Sequence, residues 1–224
     1  RGFDARTPGE LNFGNYITRL AYPVTLDEAP IGATDWADTD GLTPDIFIVT
    51  GERILKLRDG TITEVGSSIL TNGATGIALH DSGAGVPFLY VAEDGLGNIE
   101  RMALAQTVAT GTGALTRDKL ASINGSLYAS ARATTEATTD RWCMITFVPP
   151  GADPFTAANW SSRTLVGSPT SDINAITTVR GAPCIIKPEG IFIFNRNTTL
   201  WENRMPGWES MPHPDNGRGT ATLG

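Results

Sequence analysis

Basic residues are scarce in this sequence, and lysine is the scarcest of them. Only Lys56, Lys119 and Lys187 occur among 224 residues, and the formal net charge is −7. Proteins bind a phosphate backbone through clustered lysine and arginine side chains. The composition therefore argues against nucleic acid as a partner.

Long apolar runs are missing as well. No run approaches the ~20 residues that a membrane-spanning helix needs, so we expect no membrane partner. The first residues show no charged, apolar and small-residue series of the kind that forms a signal peptide. The chain starts at Arg1 and stops at GRGTATLG, which looks like a strand just beginning. We expect a processed chain or a segment of something longer.

Histidine and cysteine are too few for the common metal sites. His80 and His213 form no His-x-Glu or His-x-x-x-His pair, which argues against zinc. Cys143 and Cys184 lie in apolar, strand-like runs, so we expect two buried thiols rather than a disulfide. Neither a Gly-x-Ser-x-Gly elbow nor a phosphate-binding fingerprint is present. We predict no metal and no cofactor.

Glycine and proline are abundant instead, with 25 and 14 residues, which favours many turns over long helices. A short apolar strand, a turn and an alternating strand recur, and Asn124-Gly125 is the strongest hairpin signal. The steps between equivalent strands are 42, 39 and 57 residues, from starts near Ile46, Phe88, Leu127 and Cys184. The long step contains a surface insertion at 149–163. A period near 40 with four short strands per unit predicts propeller blades.

The predicted fold is therefore all-β, a β-propeller with about four visible four-stranded blades, alone or as part of a larger ring. One blade cannot cover both of its faces, whereas blades packed side by side around an axis bury them. Residues 1–32 would form an N-terminal arm or ring-closing strands, and 33–224 the propeller. The expected blades are approximately 33–66, 75–116, 118–167 and 172–212, with the start of another at 217–224. A helix over 98–109 is an alternative, because Ile99 and Met102 fall at helical spacing.

Carboxylates near the predicted turns are the remaining candidates for catalysis, because glycosidases use a pair of them. These residues are Glu52, Asp59, Glu93, Asp94 and Glu189. Acidic residues in hairpin turns are ordinarily solvated, and the repeated Ser-x-Asp-x-Gly-x-Thr-Trp boxes of sialidases are absent. The oxygens of Glu93, Asp94 and Asn98 could serve calcium, but the full ligand ladder of a calcium loop is missing. We assign no catalytic, cofactor-binding or metal residue.

Single histidines and tryptophans have simpler interpretations. His80, at the end of an apolar strand, is interpreted as a hydrogen-bonded turn residue rather than a base, and His213 as an exposed loop residue. Trp142 is interpreted as strand packing. Trp160, in the insertion, and Trp208 are candidates for sugar stacking or partner contact, although packing is the preferred interpretation of both.

Three segments carry a resemblance: DINAITTVRGAPCIIKPEGIFIFN at 172–195, LWENRMPGWESMP at 200–212, and GRGTATLG at 217–224. They resemble β-propeller modules of bacteriophage virion and tail proteins. The resemblance implies a structural virion subunit without catalysis. It would act by assembly contacts with other virion proteins and with copies of itself, in a phage tail or neck.

Two alternatives stay open, because propellers host unrelated activities. One is a secreted carbohydrate-binding or glycoside-hydrolysing propeller, which predicts two carboxylates about 5–10 Å apart in a funnel on one face. The other is a protein-interaction propeller of a cellular complex, which predicts an exposed apolar or charged patch on one face.

Overall fold

The computed structural model describes residues 30–37, 44–51, 53–65, 70, 73–83, 85, 87–93, 99–104, 109–113, 117–132 and 141–204. Within these residues, four antiparallel sheets of four strands each follow one another along the chain. We number the sheets I to IV in chain order. In each sheet the strands lie side by side in the order in which the chain makes them.

Sheets I and II are formed by the first half of the chain. Sheet I contains β1 (Gly32–Ala37), β2 (Pro44–Val49), β3 (Ile54–Arg58) and β4 (Thr61–Val65). Sheet II contains β5 (Ala74–His80), β6 (Phe88–Glu93), β7 (Ile99–Ala103) and β8 (Ala109–Gly113).

Sheets III and IV follow. Sheet III contains β9 (Leu120–Ile123), β10 (Ser126–Ala131), β11 (Met144–Val148) and β12 (Thr164–Leu165). Sheet IV contains β13 (Ala175–Val179), β14 (Ala182–Lys187), β15 (Gly190–Asn195) and β16 (Leu200–Asn203). In the part of the chain that the structure describes, the one helical element is a 3₁₀ turn, Ala157–Asn159, which lies between β11 and β12. Among the described residues, no helix has the length and apolar character needed to cross a membrane.

Neighbouring sheets pack face to face. The first strand of each sheet lies innermost, with β1 beside β5, β5 beside β9, and β9 beside β13. Three apolar clusters fill the spaces between sheets: Phe47, Val49, Leu89 and Val91 between I and II; Tyr90, Ala92, Leu127 and Ala129 between II and III; Ile145, Val166, Ile173 and Ile185 between III and IV. The predicted β-propeller is confirmed.

The alternative of a helix over 98–109 is wrong, because 99–103 form β7. Ile99 belongs to the cluster between sheets II and III, whereas Met102 belongs to the cluster between I and II. Both faces of this strand are covered, so apolar residues occur at odd and even positions alike. Apolar residues spaced in this way resemble those of a helix.

Three hairpin turns have positive φ at two successive residues, and the residue types explain this geometry in two of them. Asn124-Gly125 has φ values of 51° and 77°, as a type I′ hairpin requires, and Asp59-Gly60 has 50° and 74°. Arg180-Gly181 adopts the same geometry, with 50° and 73°. Arginine has no preference for this conformation. Tertiary contacts described below therefore hold the Arg180 turn.

The insertion at 149–163 packs against the blades. Phe155 and Trp160 lie against the cluster between sheets II and III. The Trp160 indole donates a hydrogen bond of 2.8 Å to the Pro154 carbonyl, and the Arg117 guanidinium lies 4.4 Å from its ring centroid. The packing interpretation of Trp160 is confirmed.

The remaining predictions about the fold concern the two cysteines and the two ends of the chain. Cys143 and Cys184 are free, buried thiols, as expected. The proposed arm within 1–32 and the additional blade start at 217–224 lie almost wholly outside the described residues, so both stay predictions.

Gly76 lies where the innermost strands β5 and β9 approach each other closely. A Cβ atom there would come within 2.5 Å of the Asp118 carbonyl oxygen and 2.9 Å of the Leu120 amide nitrogen. Because both are backbone atoms of the next blade, we expect Gly76→Ala to lower the free energy of unfolding by about 3 kcal/mol. Urea denaturation measures this change.

Gly85→Ala is the matched control. Gly85 has a φ of 75°, and a Cβ atom there would meet nothing within 4 Å. Only backbone strain is added, so the expected loss is about 1 kcal/mol. Equal losses for the two variants would contradict the close packing of β5 on β9.

Candidate functional site

A cavity of about 160 Å³, which we call the axial cavity, opens where the innermost strands begin. We call this side of the propeller the leading face, and the side where these strands end the trailing face. Each sheet contributes to the lining, including Ala33, Thr75, Lys119 and Asn174. A ligand in this cavity would therefore contact all four blades at once.

Lys119 is the charged side chain of the cavity lining. Its Nζ donates to the Thr75 carbonyl at 3.0 Å and pairs with Asp118 Oδ1 at 3.2 Å. Burial raises the pKa of Asp118, although Lys119 opposes that shift. The Lys119 side chain is 26% exposed, and these contacts use two of the three N–H donors of its ammonium group. It can therefore donate a further hydrogen bond to an incoming ligand.

The turn Lys187-Pro188-Glu189-Gly190 is a structural tie rather than a site. The Lys187 side chain is fully buried, and its Nζ donates 2.6 Å hydrogen bonds to the carbonyls of Val166 and Ser168. It also pairs with Glu189 Oε1 at 3.0 Å. Burial lowers the pKa of Lys187, and Glu189 opposes this shift. The turn thus holds residues 166–174 in place, the connector between β12 of sheet III and β13 of sheet IV.

Glu189 is not the solvated turn residue that the sequence predicts. Its Oε1 accepts the Ser168 amide at 2.8 Å, and its Oε2 accepts the Ser171 hydroxyl at 2.5 Å. Burial alone would raise the pKa of Glu189, but these two hydrogen bonds and the Lys187 ammonium hold it below its usual value. The carboxylate is fully engaged in joining the connector to β14 and β15.

Glu93 also departs from the expectation of a solvated turn. Glu93 and Glu100 are 2% and 3% exposed and lie on adjacent strands, where Val91 pairs with Glu100. Both side chains project from the face of sheet II that meets sheet I. Burial, reinforced by the negative charge of Glu93, raises the pKa of Glu100 to about 7. The pair is enclosed between blades and lines neither cavity described here.

His80 is hydrogen-bonded, as expected, but within the core. It is 1% exposed, and its Nδ1 lies 3.1 Å from the Ser122 hydroxyl of the next innermost strand. Burial lowers the pKa of His80, so the imidazole is neutral at physiological pH. This contact joins β5 to β9 near the trailing face.

The other candidate residues do not come together. Asp59 lies at an exposed I′ turn, and the Arg132 guanidinium lies 4.7 Å from the ring centroid of Trp142. Among the described residues, no group of three His, Cys, Asp or Glu side chains is placed to hold a metal ion. Several candidates lie outside the described residues: Glu52, Asp94, Asn98, Trp208 and His213.

Sequence reasoning missed a second, larger cavity. It measures about 650 Å³, lies at the trailing-face end of sheet IV, and is lined by Arg180, Arg196 and Arg204. Three arginines within 25 residues of a lysine-poor chain were the available signal. We call this cavity the arginine cleft.

Comparisons with known proteins agree with the fold. No family model matches the sequence, and no curated protein matches it. The solved structure of YCF48 bound to D1 peptide has a TM-score of 0.51 at 10% identity, covering 81% of this chain and 55% of that one. A candidate exported protein from Bacteroides fragilis NCTC 9343 has a TM-score of 0.50 at 10% identity, covering 82% and 53%. The chain thus spans about half the length of these structures, and the likeness is one of fold alone.

Glu100 makes stability depend on pH. Its pKa rises from 4.5 in the unfolded chain to about 7 when folded, so the folded state holds the proton more tightly. The contribution of Glu100 to stability is therefore most favourable below about pH 4.5 and falls as the pH rises from there to about 7. We expect Glu100→Gln to raise the free energy of unfolding by about 3 kcal/mol at pH 8 and by little at pH 5. Urea denaturation at both values measures this.

Glu64→Gln is the control for that experiment, because Glu64 belongs to a partly exposed pair with Arg53. We expect its effect to change little between the two pH values. An unchanged pH slope in Glu100→Gln would contradict the elevated pKa.

Removing the buried ammonium group tests the connector tie. Lys187→Met leaves the Val166 and Ser168 carbonyls without this donor and Glu189 without its buried cation. We expect the free energy of unfolding to fall by about 3 kcal/mol. Lys56→Met, on a partly exposed strand position, should change it by less than about 1 kcal/mol. Similar urea midpoints for the two variants would show that the tie does not stabilise the fold.

Proposed function

We propose that this chain is a noncatalytic binding module that recognises a partner polypeptide at the leading face. The observation that carries this proposal is the convergence of all four sheets on one cavity of about 160 Å³. A cavity of this size has room for a single side chain of a partner. The partner's backbone would then lie across the ends of the innermost strands.

The lining specifies what that side chain should be. Ile31 and Ile77 provide apolar walls, while Lys119 and Asn174 provide polar groups. An inserted residue with an apolar stem and an acceptor at its tip satisfies both, as glutamate and glutamine do. Burying such an anchor in a preformed pocket concentrates binding energy in a few contacts.

The structural neighbours support recognition of protein in general. YCF48, which has the same fold, was solved with a D1 peptide. The candidate exported protein from Bacteroides fragilis supports the secreted location that was left open above. The absence of catalysis in this chain is part of the proposal.

The phage virion hypothesis stays a prediction from resemblance. The two neighbours reported above give no support to a virion location, to virion partners or to self-association. A general protein-interaction propeller explains the fold and the axial cavity without them.

Selection of peptides against a filled cavity tests the proposal. A displayed library of random peptides is selected on the immobilised chain, and the dissociation constants of the selected peptides are then measured. Ala33 is exposed and lines the cavity, so Ala33→Phe would fill the space. We expect this variant to weaken binding by about tenfold or more.

Ala158→Phe is the matched control, because Ala158 is exposed in the 3₁₀ turn of the insertion. It should leave peptide affinity unchanged. A selection that yields no binding peptide, or peptides that bind Ala33→Phe as tightly as the parent chain, would overturn the proposed function.

A further inference from the structure

The arginine cleft is built mainly by two tight turns and the end of a strand. Arg180-Gly181 joins β13 to β14, and Arg196 and Asn197 follow the last residue of β15. Asn124, from the corresponding first turn of sheet III, completes the lining from the neighbouring blade. The cleft therefore spans the boundary between sheets III and IV on the trailing face.

Hydrogen bonds fix the position of these turns. The Gly181 carbonyl accepts the Asn124 side-chain amide at 2.6 Å and the Arg196 guanidinium at 3.4 Å. These contacts link the Arg180 turn to both neighbouring turns, which explains how Arg180 is held at a φ of 50°. The cleft is thus presented by a preorganised backbone, which lowers the entropy cost of binding.

The charge of the cleft is unbalanced. Among the described residues, Arg180 and Arg196 form no ion pair, whereas Arg204 pairs with Glu202 at 2.6 Å. The lining residues include no aspartate or glutamate. In a chain with 24 acidic and 17 basic residues, this is a local reversal of sign. Two guanidinium groups are left to attract an anion.

Uncharged groups around the arginines suit a polypeptide. Asn124 and Asn197 bring side-chain amides, which can hydrogen-bond to a peptide backbone. Phe194 supplies an aromatic surface and packs against Trp201 with a centroid distance of 5.3 Å. Guanidinium groups bind carboxylates through paired, parallel hydrogen bonds. The combination matches a short peptide that carries carboxylates.

We propose that the arginine cleft binds an acidic segment of a partner polypeptide. The site is on the opposite face from the axial cavity, so the proposal goes beyond the proposed function and does not depend on it. A nucleic acid is the less suitable polyanion, because a chain of net charge −7 repels a long phosphate backbone outside this cleft. An acidic peptide needs only the local positive charge.

Fluorescence polarisation with defined probes tests the inference. The probes are labelled oligoglutamate, oligoglutamine of the same length, and oligothymidylate of the same length. The tested variant combines Arg180→Asn with Arg196→Gln, since Asn-Gly keeps the I′ turn that Asn124-Gly125 already uses. We expect oligoglutamate to bind the parent chain, more tightly at low salt, and the double variant about tenfold more weakly.

Arg53→Gln is the matched control, because Arg53 is a partly exposed arginine of sheet I that pairs with Glu64. It should leave oligoglutamate binding unchanged, and unfolding midpoints confirm that each variant folds. Equal binding of oligoglutamate and oligoglutamine, or no loss in the double variant, would overturn the inference. Tighter binding of oligothymidylate than of oligoglutamate would overturn the choice of a polypeptide. Peptides selected at the axial cavity should still bind the double variant, so the two proposals fail independently.

Discussion

The burial of sheet faces between neighbouring blades governs this structure, and sheets II and III are covered in this way on both faces. A sheet with two apolar faces is unstable alone, and side-by-side packing of the blades removes both faces from water. Sheet II shows the consequence, because Leu89 packs toward sheet I and its neighbour Tyr90 packs toward sheet III. The same demand explains the close approach of β5 and β9 at Gly76, where no side chain fits.

Face-to-face packing also encloses polar groups, and the protein treats them in different ways. Lys187 has three oxygen partners, so its buried charge holds two segments of chain together. Burial, reinforced by the negative charge of Glu93, raises the pKa of Glu100 to about 7, so this carboxyl group keeps its proton up to neutral pH. Lys187 keeps its charge because it is paired, whereas Glu100 loses its charge by holding a proton. These are the two ways in which an ionisable group can be accommodated in a low-dielectric interface.

Both cavities lie at the ends of the blades, where strands begin or stop. At the leading face, four strand starts surround a small cavity with one ammonium group. At the trailing face, turns of two neighbouring sheets form a larger cleft with three arginines. These surfaces differ in size and charge, so the two proposals assign a different feature of a partner to each of them. Binding on turns held by a rigid scaffold is the usual arrangement of loop-based recognition.

The sequence by itself determined the repeat, the all-β class, the Asn124-Gly125 turn and the burial of both thiols, because strand patterns and turn residues act over a few positions. Tertiary structure alone decided that Glu93 is buried, that Glu189 is hydrogen-bonded and ion-paired, and that Lys187 is a core residue. It also decided that Arg180 and Arg196 share a cleft. A turn looks solvated in isolation, and whether another segment covers it depends on residues far away in the chain. The helical alternative at 98–109 arose for the same reason, since only a partner sheet reveals that a strand is covered on both sides.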